Sequence, residues 1–359
     1  MSGKTTSDFL LQRELLDGVS RTFALTIPAL PDRLERVVGN AYLLCRIADT
    51  IEDAANLTPD GVRVYSQRFI AVVAGRADPG AFAREFAPHL SPAASAEEKR
   101  LIIETERVLG ITATFDTGTH AAVAECVAVM AQGMADFQCR KGIDGLADLD
   151  EHARYCYVVA GCVGEMLTRL FIAYLPELEP RREELMRLSL SFGQALQMTN
   201  ILKDFWEDRS HGVCWLPRDI FLQEGLDLAE VSPGDPRFML GYRRLIGLAR
   251  AHAERALRYV LLLPRREAGI RNFCLWALFM SLLTLRKLQA HPGFADGNEV
   301  KITRRSVHNT VLWCRMAARE NLLIKSSFEV LARSLPSPRP GDFGSSGQFL
   351  AKSGRVDPL

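Results

Sequence analysis

Charge of one sign is missing from this sequence: 44 Lys and Arg stand against 43 Asp and Glu in 359 residues. No global basic field is available to hold nucleic acid, so any electrostatic function must be local. Cysteine pairing is missing as well. The eight cysteines form no C-x-x-C pair and mostly lie in apolar stretches, which speaks against a zinc ribbon or dithiol motif and reads as free buried thiols. Met1 to Phe9 lacks a basic segment followed by an apolar core, so secretion is not expected. The longest strongly apolar run, Phe273 to Leu285, has 13 residues between Arg271 and Arg286. That falls short of the roughly 20 needed to span a bilayer. The expectation is therefore a cytoplasmic protein without a transmembrane helix, with peripheral contact at a membrane left open. There is also no G-x-G-x-x-G after a strand, which excludes a Rossmann-type nucleotide site.

What is present is helical periodicity. From Phe9 to about Leu335 apolar residues recur at three- and four-residue spacing, as in Glu35 to Ala54, Glu97 to Leu109 and Thr119 to Arg140. No β-alternation competes, and no repeat of fixed period appears. Short polar breaks punctuate the pattern at Asp78-Pro79-Gly80, Ser91-Pro92, Gly142 to Gly145, Ser232 to Pro236 and His291-Pro292-Gly293. The spacing predicts one all-α domain over residues 1–335, its helices joined by short loops. After Leu335 a Pro-, Gly- and Ser-rich stretch, 336–359, reads as a flexible tail with too little apolar surface to offset its ordering entropy.

Two acidic clusters share one spacing, Asp49-Thr50-Ile51-Glu52-Asp53 and Asp204-Phe205-Trp206-Glu207-Asp208. Acids at i, i+3 and i+4 fall on one face of a helix. The first face extends back through Arg46 and Tyr42, the second through Asn200 and Gln197. Carboxylates about 5 Å apart repel by roughly 3 kcal/mol at an effective dielectric near 20, so crowding them on apolar helices is unfavourable unless cations bind. Such oxygen ligands suit magnesium, which shares its remaining positions with water and substrate phosphates. A solvated helix end is the plainer reading of either cluster alone. Two clusters of matching spacing, each backed by polar residues in register, favour a magnesium–diphosphate site built from Asp49, Glu52, Asp53, Asp204, Glu207 and Asp208.

At these residues the chain resembles the squalene and phytoene synthase family, the head-to-head branch of the all-α isoprenoid synthases. Four segments carry the resemblance, in family order: Ser20 to Ala24, Tyr42 to Asp53, Tyr155 to Gly164 and Gln197 to Asp208. It implies a helical bundle with a central active-site cavity, and magnesium at both acidic clusters. It further implies that Arg21, Arg46 and Lys203 neutralise departing diphosphate, and that Tyr155 stands near the reacting carbons. Ser20, Phe23, Tyr42, Val159, Val163, Gly164, Leu167, Gln197 and Asn200 would line the substrate. Read without the family, Tyr155 is equally a buried phenol with a satisfied hydroxyl, and the small residues after it are ordinary helix-packing residues.

Two later segments bear on the branch. Ile270 to Leu275 resembles the squalene synthase helix that contributes a Phe-Cys pair, which assigns Phe273 to the rearranging cation. Trp276 and Ala277 stand where the family has a proline nearby. Val300-Lys301-Ile302-Thr303-Arg304-Arg305 resembles the basic segment linked to NADPH, implicating Lys301 and Arg304, with Lys99 as a further candidate. A Lys/Arg run after a loop is otherwise just a solvated face. The resemblance implies condensation of two farnesyl diphosphates to presqualene diphosphate and reduction to squalene with magnesium and NADPH. Phytoene, dehydrosqualene or hydroxysqualene formation without the hydride is the alternative within the family, and a non-catalytic scaffold subunit the alternative outside it.

Overall fold

A computed structural model describes residues 3–20, 22–339 and 342. Among these the regular elements are helices, and the only β-type pairing is an isolated bridge between Leu146 and Pro217. Contacts gather into two compact units, residues 1–139 with 166–179, and residues 140–165 with 180–359.

In the first unit the principal helices are α1 (Gly3–Val19), α2 (Asp32–Glu52), α3 (Pro59–Val73), α4 (Ala96–Ile103) and α5 (Thr117–Phe137). The unit centres on α2, which packs against α1, α3, α4 and α5. Leu43, Leu44, Ile47, Ala48 and Ile51 are almost fully buried there, so the apolar flank of the acidic stripe is the core-facing flank. The Asp78-Pro79-Gly80 break is a helix start. Asp78 caps the amide of Ala81 and Pro79 occupies the first turn, where its missing N–H costs nothing. The run Glu97 to Leu109, read as one helix, is interrupted at Glu104.

The second unit contains α6 (Leu149–Cys156), a π-turn at Tyr157–Gly161, and the start of α7 (Cys162–Tyr174). It continues through α8 (Arg182–Ser210), α9 (Pro236–Leu262), α10 (Ala268–Ala290), α11 (Gly297–Val300), α12 (Arg304–Ala317) and α13 (Asn321–Ala332). The long helix α8 is its spine, packed against α9, α10 and the π-turn. Close approach at the π-turn depends on Gly193, where a Cβ would lie 2.6 Å from the Ala160 carbonyl oxygen.

The segment expected to be a flexible tail begins as ordered chain. Asp342 is buried in an ion pair with Arg244 of α9 at 2.7 Å, and Arg250 donates to the Leu335 carbonyl at 2.7 Å. The remainder of that segment lies outside the described residues. All eight cysteines are free and seven are buried, Cys139 being the exposed one. Among the described residues two helical stretches, Leu149–Tyr174 and Ala268–Ala290, are by length and composition long and apolar enough to cross a membrane, although the strongly apolar run within the second is shorter. Of the latter's apolar window 72% is buried within the protein, as suits a core helix.

Candidate active site

The first acidic cluster ends α2. Glu52 is the last helical residue, while Asp53 is the C-cap, its N–H donating to the Asp49 carbonyl at 2.9 Å. The negative end of the helix dipole opposes acids here, so helix-end stabilisation does not explain them. Arg46 lies one turn before Asp49, 3.7 Å from its carboxylate, and its other arm pairs with Glu98 of α4. Sequence reasoning missed Glu98, although Ser95-Ala96-Glu97-Glu98 carries the capping-box pattern that fixes it. Burial alone would lower the Arg46 pKa, but Asp49 and Glu98 raise it. Asp49 keeps 34% of its side chain exposed, yet its carboxyl is raised to about 7. Burial is the main cause, Arg46 opposes it, and Asp53, Glu52 and Glu98 add repulsion.

Tyr42 sits one turn before Arg46. Its phenol is raised by burial, against a hydrogen bond with Ser20 and the charge of Arg46. The Ser20 hydroxyl also accepts from the Phe23 amide at 3.0 Å, and the Phe23 and Tyr42 rings lie 5.0 Å apart. The structure therefore gathers Ser20, Phe23, Tyr42, Arg46 and Asp49, five residues drawn from two of the resemblance segments. Arg21 lies outside the described residues. Gln138, also missed, donates to the Glu52 carboxylate at 2.6 Å and to its carbonyl at 3.0 Å. It thereby satisfies one of the orphan carbonyls at the end of α2.

The second cluster falls in the last two turns of α8, again toward a helix C-terminus. Lys203 lies 3.0 Å from the Asp204 carboxylate. Burial raises the Asp204 carboxyl and Glu207 adds to this, while Lys203 and Lys301 pull it back. Along the upstream ridge Gln197 is half-buried and Asn200 exposed; Glu207 is exposed and Asp208 half-buried. Among the described residues no three His, Cys, Asp or Glu side chains converge as a closed metal cage. The donors nevertheless fit magnesium: hard oxygens, repelled by one another and by the helix dipole, with positions left over for water and phosphate.

Tyr155 closes α6 and stacks on Trp215, the ring centroids 4.0 Å apart at 11°. The pair is braced from behind. His152 Nδ1 lies 2.8 Å from the Trp215 carbonyl oxygen, which can only accept, so Nδ1 carries the proton. Nε2 then faces the Cys156 thiol at 3.7 Å. Burial lowers His152 to about 4, so the ring is neutral at physiological pH. Trp215 went unrecognised because 60 residues of sequence separate the two rings. Replacing Trp215 with Ala is expected to lower kcat by about 10-fold with little change in KM, while Phe restores most of it. Steady-state kinetics on both variants checks this, the expectation being that a stacked ring is worth about 1 kcal/mol or more.

Val159, Val163 and Leu167 are half-buried. Gly164 also has a packing role. A Cβ there would lie 2.6 Å from the Ser189 carbonyl oxygen, so its missing side chain serves the packing of α7 on α8. Phe273 and Cys274 are buried in α10, and burial pushes the Cys274 thiol up to about 12, leaving it protonated. Lys99, Lys301 and Arg304 are exposed.

The helical fold is that of the squalene-synthase-like isoprenoid synthases. It superposes on a ligand complex of TcSQS with a TM-score of 0.72 at 20% identity, covering 96% of each chain. A dehydrosqualene synthase in complex with ligand gives 0.63 at 20% identity, over 87% of this chain and 96% of that one. The chain belongs to the squalene/phytoene synthase family, whose profile matches residues 16–306. In sequence it is 31% identical over 314 residues to the squalene synthase of Mycosarcoma maydis. That match takes in 80% of this chain and 52% of the relative, so the chain spans about half that protein's length.

Proposed function

We propose that this protein condenses two farnesyl diphosphates head to head to presqualene diphosphate and reduces that intermediate to squalene with NADPH. The observation that carries the reading is the pair of acidic clusters at helix C-termini, each with its own cation, Asp49 with Arg46 and Asp204 with Lys203. Asp49, Glu52 and Asp53 would hold magnesium at one diphosphate, and Asp204, Glu207 and Asp208 at the other. When bound, magnesium would offset the charge that grows on a diphosphate as the allylic C–O bond breaks.

The chain's own groups do the rest. Arg46, Arg21 and Lys203 stabilise the departing diphosphate, which leaves with the bonding electrons. Ser20, Phe23 and Tyr42 position one substrate; Gln197 and Asn200 orient the other diphosphate. The acceptor alkene attacks the allylic cation, a proton is lost to released diphosphate, and a cyclopropane closes. Tyr155, held flat on Trp215, offers its ring to the cation and its phenol to the moving proton. Val159, Val163 and Leu167 contact the prenyl chains. Phe273 serves the second ionisation, where burial keeps water from quenching the cation. NADPH, when bound, supplies the hydride; the exposed segment from Lys301 to Arg305 offers cations for its phosphates, with Lys99 as a further contact.

Incubation with farnesyl diphosphate and magnesium should yield presqualene diphosphate without NADPH and squalene with it. Identification of the C30 product by mass spectrometry decides the matter. Dehydrosqualene or hydroxysqualene in the presence of NADPH would replace the reductive reading with its relatives.

An apolar product argues for contact with a membrane surface. On α12 and α13 Leu312, Met316, Leu322 and Val330 are exposed beside Arg305, Arg315 and Lys325, the pattern of a basic amphipathic surface. The protein should sediment with vesicles containing phosphatidylserine, and Leu322→Glu with Val330→Glu should release it. Equal sedimentation of the double variant would remove this surface from the account.

A further inference from the structure

The stretch that follows the His291-Pro292-Gly293 loop is built as a strap over the second acidic cluster. Its short helix α11 begins with a capping box between Asp296 and Glu299, and Val300 is fully buried. Gly297 lies on α8 at the cluster itself: a Cβ there would meet the Lys203 carbonyl oxygen at 3.2 Å and an Asp204 carboxylate oxygen at 3.8 Å. The far end is fastened by Lys287 of α10, whose ammonium donates to the Lys301 carbonyl at 2.6 Å. Lys301 closes the strap as the C-cap of α11. Its ammonium reaches Asn298 Oδ1 at 3.4 Å, a long and weak bond for a charged donor.

We infer that Lys301 is a diphosphate-neutralising residue of the second acidic cluster, presented by the Gly297–Lys301 strap, and not only a contact for the nicotinamide nucleotide. This rests on the proposed reading that Asp204, Glu207 and Asp208 serve a diphosphate. The strap is anchored by side chains other than the lysine head, which leaves the ammonium free to exchange a weak amide partner for phosphate oxygens. An arriving diphosphate thus meets Lys203 from α8 and Lys301 from the strap. Lys301 then serves the leaving group as well as the nucleotide, while Arg304 serves the nucleotide alone. A lysine ammonium suits the task as a compact point charge on a flexible stem.

The two roles separate when NADPH is withheld. With farnesyl diphosphate and magnesium alone, Lys301→Gln should release diphosphate at least about 10-fold more slowly than wild type, the loss of one charged donor. Lys301→Arg should recover most of the rate. An unchanged NADPH-free rate in Lys301→Gln, with a raised KM for NADPH, would overturn the assignment. Calorimetric titration with inorganic diphosphate and magnesium decides the same point independently of substrate: weaker binding by Lys301→Gln supports it, and equal affinity contradicts it. Should wild type release no diphosphate from farnesyl diphosphate, the proposed function fails, while that titration still judges Lys301.

Discussion

Asp49→Asn is expected to cut diphosphate release by about 10²- to 10³-fold, the usual loss when one group stabilising developing charge is removed. The substitution keeps the shape of the side chain and deletes its charge. The carboxyl stands among Asp53, Glu52 and Glu98 with Arg46 as its counterweight, and burial raises it to about 7. Removing it relieves repulsion, so the unfolding midpoint should hold or rise slightly even as activity collapses. Rapid-quench measurement of diphosphate release, paired with thermal unfolding, separates the two. A fall in both together would show that Asp49 is structural.

The second large effect concerns the π-turn. Gly193→Ala should destabilise the protein by about 3 kcal/mol, because the added methyl meets backbone that cannot rotate away. The Cβ would lie 2.6 Å from the Ala160 oxygen, 2.8 Å from its carbonyl carbon and 2.8 Å from Gly161 Cα. π-turns gather at functional sites, and this one follows directly on Tyr155 and Cys156 at the end of α6, so catalysis should fall with stability. Gly110 is the internal control. It is helical with nothing within 4 Å of its would-be Cβ, so Gly110→Ala should stabilise by about 0.5–1 kcal/mol. Urea midpoints for the two variants should move in opposite directions.

The acidic stripes and their helices were readable in the sequence because helical spacing maps directly onto faces. Tyr42, Arg46 and Asp49 do share one, and family membership follows from the same segments. Tertiary partners were hidden. Trp215 under Tyr155, Gln138 on Glu52 and Glu98 on Arg46 each come from elements distant in sequence, where periodicity carries no information. Glu98 could have been placed as a helix cap, but its second task of holding Arg46 is set by packing. The π-turn leaves no periodic signature, since one widened turn barely shifts the register. Asp342 escaped because its surroundings read as a low-complexity tail, while its anchor, Arg244, lies on α9.

Each acidic cluster is proposed to bind one diphosphate through magnesium. Calorimetric titration with farnesyl thiodiphosphate, a non-ionising analogue, tests it most directly. Wild type with magnesium should bind two equivalents, Asp49→Asn and Asp204→Asn one each, and protein in excess EDTA none. Binding that persists without magnesium, or two equivalents retained in both variants, would contradict the account.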